Sequence, residues 1–398
     1  MVLGATSRRA GGAVLLALAG LILAGLPAVP ASAASTLSPV PGTSYQANGR
    51  VRTVVTIGST VYLGGNFTSL RPAGAPAGTG EVARSRLAAV NRDTGALLPW
   101  NPGADRDVYV LAVSPDARTV YVGGYFTRVG GAARKRLAAV DAATGAVTSW
   151  APTANGKVLA LTALGARVYL GGTFSTVNGQ PRTRLAAVST AGVLDAGWKP
   201  AADDTVRALA STPEGSAVLA GGDFFVVDGT SRSRHLVKLD PATGAQQTWN
   251  WMPGYGVWEI VVTGSRVYLA GDGAGGHLAA HSLPNGGRLW QVQTDGGIQS
   301  AAVIGDTLYG GGHFDNVCAG NTTAGNGTGD GFDCQQNLAV RRKLVALDVD
   351  TGALDPWNPG ANSNLGVFAL EASGGRLFAG GDFSKIGGVT QRSFAVFG

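Results

Sequence analysis

Six times the chain writes Gly-Gly-x-Phe after a short β-prone run. The copies begin at Gly64, Gly123, Gly171, Gly221, Gly311 and Gly380, and a worn seventh copy, Ala270-Gly271-Asp272-Gly273, fills the one gap. Spacing between copies runs from 41 to 69 residues, mostly near 50. A fixed unit of this length repeated along a chain is an array of one supersecondary element. Each copy contacts its neighbours and buries its apolar faces against them.

A second mark follows each first one: a basic residue, an apolar run, an Asp-x-x-Thr-Gly turn, then Trp. In the second unit it reads Arg136-Leu137-Ala138-Ala139-Val140-Asp141, then Thr144-Gly145, then Trp150. Each unit holds four short β-prone runs, and no helical periodicity appears after the leader. In the third unit the expected strands are 158–161, 167–171, 185–188 and 193–198. Four strands per repeat make a propeller blade. The spacing therefore predicts an all-β fold, a seven-bladed β-propeller of four-stranded blades. The Gly pair admits close backbone approach, the Thr-Gly turn needs positive φ, and the Trp is an apolar plate for the next blade.

The ends of the chain fit one another. The last unit stops at Phe394-Ala395-Val396-Phe397-Gly398 without its Trp, and residues 37–42 align with 354–360. The N-terminal strand is expected to complete the seventh blade and so to leave no long free edge.

Arg8 and Arg9, an uncharged run over 10–26, and Ala31-Ser32-Ala33 have the order of a secretory signal peptide spanning 1–33, with the propeller over 34–398. Export to the extracellular space follows. The leader's removal lowers the formal charge from +6 to +4, and without a basic stripe nucleic-acid binding has no support. Cys318 and Cys334, the two cysteines of an exported chain, are expected to form a disulfide.

Both long insertions, 71–86 and 315–343, follow a second strand, so they open on one face. That face carries a basic residue before each third strand: Arg86, Arg136, Arg184, His235, His277, Lys343 and Arg392. Acidic or amide groups recur in the following linkers, and a repeated structural hydrogen-bond network between the two sets is expected. The repeat breaks at units four to six. There Trp251, Tyr255 and Trp258 are extra aromatics, and His235, His277 and His313 lie nearby. They form the candidate ligand site, with Trp258 also fitting an inner-strand core position.

Asn326, Thr328 and Asp330 resemble the opening of a calcium loop, but position twelve is Asn337 where a bidentate Glu is needed. The histidines lack zinc spacing. No catalytic residue, cofactor or resident metal is expected.

By its Gly-Gly-x-Phe and Asp-x-x-Thr-Gly-x-x-x-x-Trp marks the chain resembles secreted bacterial propellers built from delta-60-type repeats, and the Gly doublet is kelch-like. That resemblance implies a propeller and export, with no catalytic residues. The run 139–150 is also similar to the quinoprotein dehydrogenase repeat. The function expected is a secreted non-catalytic scaffold, monomeric, with a glycan or protein ligand on the inserted-loop face. The alternative is a propeller enzyme, either a polysaccharide hydrolase or lyase or a quinone oxidoreductase.

Overall fold

The computed structural model describes Met1 and residues 35–249, 252–318 and 338–398, with the backbone alone at Arg232. The described residues are all-β apart from one short turn of 3₁₀ helix at Ser231–Ser233. Among them no helix is long and apolar enough to cross a membrane.

Seven antiparallel sheets share one three-strand core among the described residues. In the first, Val51–Ile57 pairs with Thr60–Gly65, which pairs with Leu87–Asn91. The equivalent opening strands are Val108–Val113, Val158–Leu164, Val206–Ser211, Gly256–Thr263, Ile298–Ile304 and Val367–Ser373. Each carries a register shift near its start, for example between Val51 and Thr53.

The two glycines of each mark are dictated by packing. A Cβ on Gly64 would come within 2.8 Å of Val108 in the next sheet, and one on Gly65 within 2.0 Å of the Arg50 carbonyl. Only a residue without a side chain admits that approach. The Phe two positions later is buried in all six full copies.

The fourth expected run is shorter than the sequence suggests. Residues 193–198 reduce to one bridge, Val188 to Leu194, and the same holds at Leu97, Val147, Gln246 and Leu354. In the third unit a side-chain turn ends the run. Asp195 accepts hydrogen bonds from the N–H groups of Gly197 and Trp198, which turns the chain out of the sheet. Trp198 then packs edge-on against Tyr169 and donates to the Asp240 carbonyl of the following unit. Sheet five differs, although its Trp290 likewise packs on Tyr268 and donates to the Val349 carbonyl of the following unit. Its outer strand runs the full length of Arg288–Thr294 and continues the sheet to Asn316–Cys318 and Leu338–Val340.

The apolar cores lie between neighbouring sheets. Tyr62 and Trp100 of the first unit pack with Val108 and Val122 of the second. Val51 and Leu63 of the first unit share a cluster with Phe378 and Phe394 of the last. Gly42 donates to the Val396 carbonyl at 2.8 Å, and Trp357 donates to the Ser38 carbonyl at 3.3 Å.

Candidate functional site

A cavity of about 910 Å³ is lined by the opening strand of all seven sheets. The register shift is a β-bulge, which re-aims the side chain of its extra residue. Those residues are Arg52, Tyr109, Leu159, Arg207, Trp258, Gln299 and Phe368. All seven are partly exposed, and each differs from its neighbours in unit order by class of side chain. The backbone repeats sevenfold while the side chains do not. A binding site needs that combination, because recognition requires an asymmetric set of groups on a rigid frame.

On one side of the mouth Arg207 is held by Asp223, with Nε at 2.8 Å from one carboxylate oxygen and a terminal nitrogen at 2.6 Å from the other. Its guanidinium lies 4.2 Å from the Trp258 ring centroid. In the first unit, Arg52 lies 5.3 Å from the rings of both Tyr109 and Phe368. Its Nε is buried without a hydrogen-bond partner. Lys157 stands 6.0 Å above Tyr109.

Farther in, two carboxyls face an otherwise largely apolar wall. Burial pushes Glu259 and Glu371 each up to about 7, and the field of Glu371 adds to the effect on Glu259. The Thr56 hydroxyl donates to Glu371 at 2.8 Å and opposes the shift. Near neutral pH the wall therefore carries less charge than its composition implies.

Tyr255 and Trp258 do not form one patch. Trp251 lies outside the described residues. Tyr255 is buried, its ring against Gly271 and Gly273 and stacked on His277 with centroids 4.2 Å apart. It fills space in the one unit whose mark has lost its Phe. Trp258, in the opening strand Gly256–Thr263, faces the cavity and is not the core filler that its inner-strand register also allowed.

The histidines also separate. His235 is buried against Phe225 and the Gly222 carbonyl. His277 meets Gln291, and burial holds it down to about 4. His281 is fully buried and held down to about 3. His313 accepts the Gly297 N–H on Nε2 at 3.1 Å, and its Nδ1 is buried without a hydrogen-bond partner.

The basic ring is a backbone feature. Arg86, Arg136, Arg184, His235 and Lys343 all have φ between 60° and 70°. In the last unit that position is Ser393, with Arg392 one residue earlier, and His277 lies within a regular strand. The linker acids and amides do not face these cations. Asp105, Asn155 and Asp295 accept backbone N–H groups of the neighbouring hairpin. Arg184 reaches the Ala202 carbonyl, Arg136 lies on Tyr125, and Lys343 pairs with Asp315.

Sequence reasoning passed over a second set of arginines, two residues earlier. Arg84, Arg134, Arg182 and Arg341 donate to the carbonyls of Leu98, Thr148, Asp195 and Asp355, fastening each outer run to its own sheet. The basic-x-basic spacing was the available signal.

Among the described residues no group of three or more His, Cys, Asp or Glu could hold a metal ion. Asn326, Thr328, Asp330 and Cys334 lie outside the described residues. Cys318 is held in a disulfide.

The PQQ_2 family model, that of outer membrane protein assembly factor BamB, matches residues 182–359. No curated protein matches the chain in sequence. Among solved structures, the WD40 beta propeller domain of Doa1 superposes with a TM-score of 0.56 at 10% identity, covering 90% of this chain and 96% of that one. The computationally designed Ika8 protein gives 0.51 at 13% identity, covering 89% and 98%.

The expected function is corrected on the first of these findings. The matching model is that of an assembly factor. It is neither the extracellular glycan- or protein-binding scaffold nor the polysaccharide or quinone enzyme that the repeats suggested. In fold the chain is a β-propeller, and its residues 182–359 are similar to the outer membrane protein assembly factor BamB.

Proposed function

We propose that this chain is an assembly factor of the bacterial cell envelope, a propeller that grips a client protein at the mouth of its central cavity. The observation that carries the reading is the Arg207–Trp258 pair. Trp and Arg dominate the binding energy of protein interfaces when they are held rigidly. Here Asp223 fixes the guanidinium and the guanidinium covers the indole. Both residues fall within the 182–359 stretch that is similar to the assembly factor.

The reading includes four features of the frame. Seven blades, each a three-strand core with an outer run, close into a ring, supported by the Gly42–Val396 bridge and by the core shared between the first and last sheets. The repeats are of the delta-60, kelch-like type. Residues 1–33 direct export and are removed. Cys334 is the partner of Cys318, the one other cysteine in the chain.

A photocrosslinking residue in place of Trp258, in the producing cell, tests the client reading. A discrete envelope protein should be captured there and not from Asp116, an exposed turn residue between Val108–Val113 and Thr119–Gly124. Equal capture at the two positions, or none at Trp258, rejects it.

A further inference from the structure

We propose that the Arg52 side of the cavity mouth binds a small organic anion, a monocarboxylate whose apolar body enters the shaft. Arg52 and Arg207 occupy equivalent bulge positions but differ in their electrostatic state. Arg207 is neutralised by Asp223 at 2.6 Å. Among the described residues neither Arg52 nor Lys157 has an ion-pair partner. Arg52 is also partly withdrawn from water between two rings, with its Nε unbonded. A desolvated cation without an ion-pair partner is costly, and an arriving carboxylate relieves that cost.

Lys157, from the third unit, stands 6.0 Å from the Tyr109 ring that Arg52 approaches from the first unit, so a second cation adds to the positive potential around that ring. Asp107 and Asp382 are close enough to act on Arg52 electrostatically but not to pair with it, which favours a singly charged head over a polyanion. The shaft below is lined by Leu111, Leu161, Leu209 and Val261, and a volume of about 910 Å³ suits a small-molecule ligand. Glu259 and Glu371 stand deeper in the same shaft, where they disfavour a second anionic group once ionised. This site does not depend on the assembly reading, and a small-molecule titration is blind to any client.

Calorimetric titration of the intact protein with decanoate at pH 8 is the test. One saturable site is expected, with 1-decanol and decanedioate each binding at least tenfold more weakly. Arg52→Met should weaken decanoate at least tenfold, Arg52→Lys by less, and Arg207→Met by under threefold. Equal affinity for decanoate and decanol would remove the charge argument without recourse to any variant. Inorganic phosphate binding as tightly as decanoate would remove the shaft from the site. Absence of saturable decanoate binding would overturn the proposal outright.

Discussion

At the scale of single residues, the buried ionisable groups set a pH dependence with two opposing arms. Glu259 and Glu371 are raised to about 7 from near 4.5. Their stabilising neutral form is fully present below about 4.5 and is lost as pH rises through 7. His277 and His281 are depressed to about 4 and about 3 from near 6.5. Their contribution is present above 6.5 and is lost as pH falls through those values. Between about 4.5 and 6.5 the arms cancel, so thermal melts should show a plateau there and fall on both sides. Glu371→Gln keeps an acceptor for Thr56 and removes one arm. It should turn the plateau into a slope rising with pH and stabilise the protein at pH 8 by about 1–2 kcal/mol, discounted for water in the cavity. A parent whose melting temperature rises from pH 6 to 8 would contradict the assignment. None of this was legible beforehand, since Glu259 and Glu371 sit in unremarkable apolar runs and only the cavity around them raises their proton affinity.

Elements show where pattern reading works. The Asp-x-x-Thr-Gly turn behaves as its chemistry requires. Asp141 accepts from the N–H groups of Ala143 and Thr144 and from the Thr144 hydroxyl, and Gly145 has φ of 78°. Asp141→Ala removes three hydrogen bonds at a solvent-facing turn and should cost about 1–2 kcal/mol in urea unfolding. The outer Trp residues extend the argument. Trp150 donates to the Ser189 carbonyl at 3.0 Å, whereas the Trp249 indole nitrogen is buried without a partner. Trp150→Phe should therefore cost about 1 kcal/mol more than Trp249→Phe, and equal losses would deny the hydrogen bond its role. The fourth strand was misjudged because its residues are β-prone, yet in three units Thr148, Asp195 or Asp355 accepts the N–H of the Trp and turns the chain towards the next unit. Tyr255 was misjudged because an aromatic outside the repeat pattern reads as exposed, when it replaces a missing core Phe.

For the molecule as a whole, the two chain ends are joined by non-local contacts. Gly42 pairs with Val396, Gln391 donates to the Ser44 carbonyl, and the Ser35 hydroxyl meets that of Tyr309. Deleting residues 35–42 would uncover the Phe394–Phe397 strand. Exposed sheet edges recruit other chains, so the truncated protein should melt lower and elute as larger species at high concentration in size-exclusion chromatography. Unchanged melting and elution would show that these contacts are dispensable. Repeat length, turn chemistry and glycine doublets are local, and they determined by themselves that the chain is an array of β units stacked sheet on sheet. The cavity mouth could not be read that way. Arg52, Tyr109, Arg207, Trp258 and Phe368 are spread over more than 300 residues of sequence. A one-residue bulge in each opening strand and the arrangement of all seven strands about one cavity bring them together, and neither leaves a mark in any single repeat. Tertiary structure decided the site because its charges and rings meet only across sheets.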